Sequence, residues 1–327
     1  PARGARFVPG EHAITWMADV GGTEAYQVLR LDLDTGATSV LTDGTHRHEA
    51  YLWADDGSAL VFNNNARNGR DMDIYVSDGS DPASARLLVE ATGHFNPAAI
   101  SPDAGQLVVL EYVSRNDSRL HLVDLQSGAR SRITPEEPVA AWSSATYGPD
   151  GTLYATSDMG GEFMHLYRLD DGAWEDLTPD LSWDVKDVDV SPDGRFLAYS
   201  VNEDGFGALH VRDLKKDTDR VATLPRGLIA GMRFSRESGH LALGLTGPTT
   251  PADVYLYDLK KDRLERWTRS EMAGFPEEAF VAPELFHYET FDGLQIPCFS
   301  YVPEGEGPHP VVISIHGGPE GQARPYF

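Results

Sequence analysis

The sequence predicts a mainly-β chain: a β-propeller with six visible blades, followed by the first strands of a second, mixed sheet. Three observations predict it. A Pro-Asp-Gly-type turn recurs along the chain, a strand-ending aspartate recurs independently at the same period, and that period breaks near residue 268, after which a hairpin pattern and one unbroken apolar run follow.

The turn motif reads "WADDG" at Trp53, "ISPDAG" at Ile100, "YGPDG" at Tyr147, "VSPDG" at Val190 and "FSRESG" at Phe234. Its starts are spaced by 47, 47, 43 and 44 residues. The aspartate series is Asp32, Asp78, Asp124, Asp170, Asp213 and Asp258, spaced by 46, 46, 46, 43 and 45. Each unit carries an apolar strand, the turn, a second strand ("ALVF", "QLVVL", "FLAYS", "LALGL"), a third ending in Asp and a short fourth ("RLLV", "SRIT", "RVAT", "ERWT"). Asp bonds its own backbone in such turns and Gly tolerates positive φ. Four antiparallel strands in about 45 residues are a propeller blade, whereas a β-sandwich has no reason to hold register over six units. By register Trp53, Tyr147 and Phe234 face the core. "FVPGEHAITWM" puts the first unit's turn at Pro9 and Gly10, so most of its innermost strand is expected before Pro1. The propeller is expected over 1–274 with an incomplete first blade, and a parent with seven.

Composition narrows the partners. Fifty-one acidic against 27 basic residues give a net charge of −24, which repels phosphate backbones and anionic lipid; nucleic acid and membrane surfaces are not expected partners. No stretch is long and apolar enough to span a bilayer, and no signal peptide is visible. The single cysteine, Cys298, excludes an internal disulfide and favours a reducing, cytoplasmic home; in "IPCFSYV" it reads as a small apolar strand residue. No cofactor or metal is expected. His46 and His48 lack a third ligand, and Asp71 and Asp73 lack the glycine and terminal Glu of a calcium loop.

Residues 275–327 read as the start of a second domain. Two strands flank the Phe291-Asp292-Gly293 turn, a Pro/Gly-rich loop spans 303–310, and Val311 to Ile315 form a continuous apolar run, as in a strand buried on both faces. His316-Gly317-Gly318 follows. Two glycines leave their amides unshielded by any Cβ, so a backbone N–H there can meet the oxyanion of acyl transfer, an interaction worth about 3–4 kcal/mol per donor. Such a loop belongs to α/β-hydrolases, although a tight turn closing a strand has the same residues.

"PELFHYETFDGLQIPCFSYVPEGEGPHPVVISIHGGPEGQ" (283–322), taken with the "SPDAG" and "SPDG" turns at Ser101 and Ser191, resembles the prolyl oligopeptidase family of serine peptidases, which includes acylaminoacyl peptidases, dipeptidyl peptidases and oligopeptidases. The resemblance covers nearly the whole chain. It implies a propeller that screens short peptides for an α/β-hydrolase domain, with Gly318, then Gly317, as oxyanion donors and His316 holding the loop. No G-x-S-x-G occurs in the 327 residues, so the resemblance places nucleophile, acid and base beyond Phe327. The chain is expected to be one piece of a longer polypeptide, its partner the remainder of the catalytic domain, in the same chain or nicked from it; homo-oligomerisation is left open. The alternative is a TolB-like propeller that binds proteins or peptides.

Strand direction places the loops between second and third strands on one face, turned toward that domain: Asn63–Arg70, Ser114–Arg119, Asp158–Met164, Asn202–Phe206 and Thr246–Pro251. Arg67, Arg70, Arg115 and Arg119 stand out in so acidic a chain; an arginine fork on a peptide's C-terminal carboxylate would make the parent carboxypeptidase-like. Glu162, Glu203 and Asp204 could instead hold an N-terminal ammonium. For each of these the competing reading is a solvated loop charge or an internal salt bridge.

Overall fold

A computed structural model describes residues 2–19, 21–236, 239–318 and 321–327. It contains six four-stranded antiparallel sheets, each with its strands in chain order, and one separate hairpin. The chain divides into two compact units, 1–179 and 180–327.

The first unit holds four blades. Blade one comprises β1 (Arg3–Phe7), β2 (Ala13–Ala18), β3 (Gln27–Asp32) and β4 (Thr38–Val40); blade two β5 (Tyr51–Trp53), β6 (Leu60–Asn64), β7 (Asp73–Ser77) and β8 (Arg86–Val89). Blade three comprises β9 (His94–Ile100), β10 (Gln106–Ser114), β11 (Asp117–Asp124) and β12 (Arg130–Arg132); blade four β13 (Trp142–Tyr147), β14 (Leu153–Ser157), β15 (His165–Asp170) and β16 (Ala173–Asp176). The second unit holds blade five, β17 (Asp184–Val190), β18 (Phe196–Glu203), β19 (Phe206–Asp213) and β20 (Thr218–Val221), and blade six, β21 (Leu228–Phe234), β22 (His240–Gly247), β23 (Thr250–Asp258) and β24 (Arg263–Arg266). The hairpin of β25 (Glu284–Glu289) and β26 (Gln295–Ser300) follows. The first blade is not short of a strand: Arg3–Phe7 pairs with β2 and completes it, because the five residues before the Pro9 turn are enough for an innermost strand.

Both recurring motifs have a hydrogen-bond reason. In "SPDG" the Ser191 hydroxyl donates to the Asp193 carboxylate (2.6 Å) and accepts the amide of Phe196 (2.8 Å), the first residue of β18. Ser101 does the same with Asp103 (2.5 Å) and the Gln106 amide (2.9 Å). The strand-ending aspartate accepts the amide three residues on: Thr35 to Asp32, Ser127 to Asp124, Lys216 to Asp213 and Lys261 to Asp258, all at 2.7–3.2 Å. The leucine between them then donates its own amide back to the turn or strand edge across the blade, Leu33 to the His12 carbonyl and Leu125, Leu214 and Leu259 to those of Gly105, Arg195 and Gly239, at 2.8–3.0 Å. The turn joining strands one and two and the turn joining three and four therefore lie at the same end of the blade. The "FSRESG" turn falls partly outside the described residues.

Cores form between neighbouring blades. Val61, Ile74 and Val76 of blade two pack with Leu107, Val109 and Val123 of blade three. Leu209 and Val211 of blade five pack with Phe234, Leu241, Leu243 and Tyr257 of blade six. Phe234 is buried as its register requires, while Trp53 and Tyr147 are half-buried at the edges of their clusters.

The run after the hairpin departs from expectation. Residues 301–316 form no strand, and Val311, Val312, Ile313 and Ile315 are 80–91% exposed. A strand buried on both faces needs flanking strands and covering helices; among the described residues this run has neither, so the mixed sheet of an α/β-hydrolase is not formed here.

The turn chemistry carries a test. The Ser191 hydroxyl, foremost, holds the Asp193 carboxyl below its ordinary 3.8. A depressed folded-state value contributes stability that is present above the unfolded value and lost as pH falls through the folded one. Ser191→Ala should cost about 1 kcal/mol at neutral pH and return the Asp193 titration, followed by carbon-detected NMR, toward 3.8. An unchanged midpoint would remove the hydroxyl from the account.

Candidate functional site

The hairpin tip of blade five meets the β25–β26 arm and the C-terminal segment. Strands β18 and β19 pair from Phe196↔Asp213 out to Glu203↔Phe206, leaving Asp204 and Gly205 as a two-residue loop. Both have positive φ, +52° and +91°, as an Asp-Gly hairpin of the primed type requires. Gly205 is also needed for space, since a Cβ there would lie 2.9 Å from the Phe299 ring.

Four contacts fasten the tip. The Asp204 carboxylate lies 2.9 Å from Nε2 of His287 on β25. The Gly205 carbonyl accepts Nε of Arg324 (2.9 Å), and Nδ2 of Asn202 donates to Oε1 of Gln322 (2.8 Å). Phe206 packs edge-on against Phe299 of β26 at 5.5 Å. Beside these contacts is a hollow of about 350 Å³ lined by Trp183, Glu203, Phe206, Arg226 and Leu285 among others. The Arg226 guanidinium lies over the Phe206 ring, 4.2 Å from its centre. Glu203 Oε1 is 3.6 Å from Nε2 of the mostly buried His210. Oδ1 of buried Asn202 accepts from nothing among the described residues. The hollow therefore offers an apolar wall, a carboxylate and a cation.

The candidate arginines are arranged differently. Arg67 closes its fork on Asp73, Nε to Oδ2 at 2.8 Å and Nη2 to Oδ1 at 3.0 Å, and donates to the Ala91 carbonyl at 2.6 Å. The Asp73 carboxylate is fully buried and also accepts the Ala91 amide. Arg70 donates to Asp71 (3.1 Å), whose carboxyl is held well below the usual range by Arg70 and Asn68. Arg119 pairs with Asp117 (2.9 Å), with Glu111 at 3.7 Å. Arg115 is exposed at the two-residue tip between β10 and β11. The carboxylate clamp expected of Arg67, Arg70 and Arg119 is thus engaged by the protein's own carboxylates. Asp71 and Asp73, weighed for calcium, are those carboxylates. His46 bonds to Asp43 (2.9 Å), and His48 is buried against the Tyr26 carbonyl (3.0 Å).

Gly317 and Gly318 are exposed. Among the described residues no carbonyl accepts the amide of either, and a Cβ on Gly317 would meet nothing within 4 Å. His316 Nδ1 contacts the Gly317 carbonyl at 3.0 Å. Sequence reasoning missed Trp183, Arg226 and Leu285. They carry no motif, and only the return of the arm onto blade five brings them together.

The family model for the prolyl oligopeptidase N-terminal β-propeller domain matches residues 18–270. The chain belongs to the prolyl oligopeptidase family. It is 27% identical over 99 residues, 29% of this chain and 15% of the relative, to the uncharacterized peptidase YuxL of Bacillus subtilis (strain 168). A puromycin-hydrolyzing peptidase of Mycobacterium tuberculosis shares its fold with a TM-score of 0.74 at 17% identity, over 92% of this chain and 49% of that one. TolB of Acinetobacter baumannii matches with a TM-score of 0.59 at 20% identity, over 81% and 66%. The chain spans about half the length of the solved peptidase. Six blades of this prolyl oligopeptidase propeller are thus accounted for, four of them closed by the aspartate turn above.

Asp73 is fully buried, so removing its arginine leaves an uncompensated buried carboxylate. Arg67→Ala should therefore lower the denaturant midpoint strongly, and Arg67→Ala/Asp73→Asn should recover part of the loss. A variant as stable as the parent would free Arg67 for a ligand.

Proposed function

We propose that this chain is the substrate-gating propeller and oxyanion-loop portion of a serine peptidase that cleaves short peptides through a covalent acyl-serine intermediate, its triad lying outside the chain. Family membership supports peptidase action. The observation that carries the finer reading is the hollow between the blade-five tip and the arm.

Glu203 supplies a carboxylate for a peptide's N-terminal ammonium; charge-assisted bonds of this kind are the strong ones. Trp183, Phe206 and Leu285 give the first side chain an apolar seat. With Arg67, Arg70 and Arg119 already paired, this amine-end reading has more support than a carboxypeptidase-like one. Gly318, then Gly317, supply the bare amides that meet the oxyanion. The remainder of the catalytic domain is the partner that brings nucleophile, acid and base, and the cytoplasm is the proposed location. A peptide-binding propeller without turnover is the second reading, favoured by the likeness to TolB.

Two variants of the intact polypeptide test this. Gly318→Pro, which deletes one amide hydrogen, should lower kcat by about 10²–10³-fold with little change in KM. Glu203→Gln should raise KM for peptides with a free N-terminus by about tenfold and leave N-blocked peptides unaffected. Equal effects on free and blocked peptides would reject the amine site, and a Gly318→Pro enzyme with full kcat would reject the oxyanion role.

A further inference from the structure

The chain has five lysines, and four of them lie in two turns of identical sequence: Asp213-Leu214-Lys215-Lys216-Asp217 in blade five and Asp258-Leu259-Lys260-Lys261-Asp262 in blade six. The turn itself does not call for them. Blades one and three make the same bonds with Asp32-Leu33-Asp34-Thr35-Gly36 and Asp124-Leu125-Gln126-Ser127-Gly128. Those turns put glycine at the left-handed position, φ +72° and +73°. Blades five and six put Asp217 and Asp262 there, φ +51° and +49°, where a non-glycine residue is disfavoured. Each of these aspartates anchors an arginine: Asp217 holds Arg212 at 2.6 Å and Asp262 holds Arg220 at 2.9 Å.

Between the two turns is a hollow of about 330 Å³, lined among others by Arg195, Lys216, Thr218, Arg220 and Lys260. Its two carboxylates are already engaged. Asp213 is held by Arg195 (3.0 Å) and by turn amides; Asp219 accepts from Tyr199 and faces Nδ1 of His210 at 3.4 Å. Arg220 is fixed by the Tyr257 hydroxyl (2.6 Å), Asp262 and the Leu259 carbonyl (2.8 Å). By contrast, Lys261 is tied back to Asp258 at 3.2 Å. Among the described residues the ammonium groups of Lys216 and Lys260 have no carboxylate partner. Two uncompensated cations from adjacent blades thus line one cavity in a chain of net charge −24. Net charge does not decide the local potential, because charges beyond about 8–10 Å are screened at physiological salt.

The geometry points to a binding site for a small phosphate anion, free or esterified, bridging Lys216 of blade five and Lys260 of blade six. Thr218 and the Nη1 of Arg195, which donates to no acceptor among the described residues, complete the donors. The volume lies at the lower end of small-ligand cavities and admits pyrophosphate or a compact phosphate ester. The site is independent of the peptidase reading: no residue of the amine hollow takes part. A ligand spanning two blades binds only their assembled form, so it must stabilise the fold.

Thermal unfolding and titration calorimetry on the intact protein, at constant ionic strength, test it with pyrophosphate, inorganic phosphate, a nucleoside monophosphate and citrate. Pyrophosphate should raise Tm. Each of Lys216→Ala and Lys260→Ala should weaken its binding about tenfold, equivalent to about 1.4 kcal/mol, while Lys215→Ala, outside the hollow, should not. The lysines are exposed, so unliganded Tm values should match and misfolding is detected directly. A response to the monophosphate stronger than to inorganic phosphate identifies an ester as the ligand, and the reverse identifies the free anion. Citrate binding as tightly as pyrophosphate, or pyrophosphate acting equally on the double alanine variant, would overturn the proposal.

Discussion

An aspartate accepting the amides of its own turn is the constraint on which the rest of this molecule depends. It sets where the third strand of a blade ends, and it aims the following leucine amide across the blade end. With the serine of "SPDG" capping the start of the second strand, both ends of the central hairpin are specified by side chains within five residues of the groups they satisfy. Strand register needs such markers, because a slip of one residue would turn every core side chain outward. The shared cores, Leu209 and Val211 against Leu243 and Tyr257 for example, form only if neighbouring blades hold the same phase.

Burial of acids is the second organising theme. Asp73 sits at zero exposure with Arg67 and the Ala91 amide; Asp253 is nearly as buried with Arg266 at 2.6 Å and the hydroxyls of Thr268 and Ser270. Asp189, pushed up by burial, accepts the Phe234 amide at 2.6 Å and draws Arg233 to 3.3 Å. A buried carboxylate demands paired donors. In a chain with nearly twice as many acids as bases, arginines on loops are accordingly the partners of carboxylates below them. This explains why isolated basic loops proved weak indicators of a ligand, while Lys216 and Lys260, which have no carboxylate partner among the described residues and line one hollow, became informative.

What was legible in the sequence follows from range. The six blades could be read because turn aspartates, "SPD" serines and alternating strands act over a few residues and repeat. The β25–β26 hairpin was legible from Phe291-Asp292-Gly293 for the same reason. The Arg67–Asp73–Ala91 arrangement was not, since two blade-edge segments must first be brought together. The apolar run at 311–315 was read as a buried strand from hydrophobicity alone, but hydrophobicity does not supply neighbouring strands, and the run is exposed. Trp183, Arg226 and Leu285 lie far apart in sequence, with no common pattern to join them.

The same logic separates two uses of one scaffold. The blade-five hairpin ends in a loop that touches the arm at one end, through Asp204, Gly205 and Phe206, and in the Asp-Leu-Lys-Lys-Asp turn at the other. The two ends are the poles of the eight-residue strands β18 and β19, about 25 Å apart at roughly 3.3 Å per residue. The β18–β19 hairpin is paired along its whole length and joins the two poles. Charge at the turn and the contacts at the tip are therefore separable in chemistry but joined through one element.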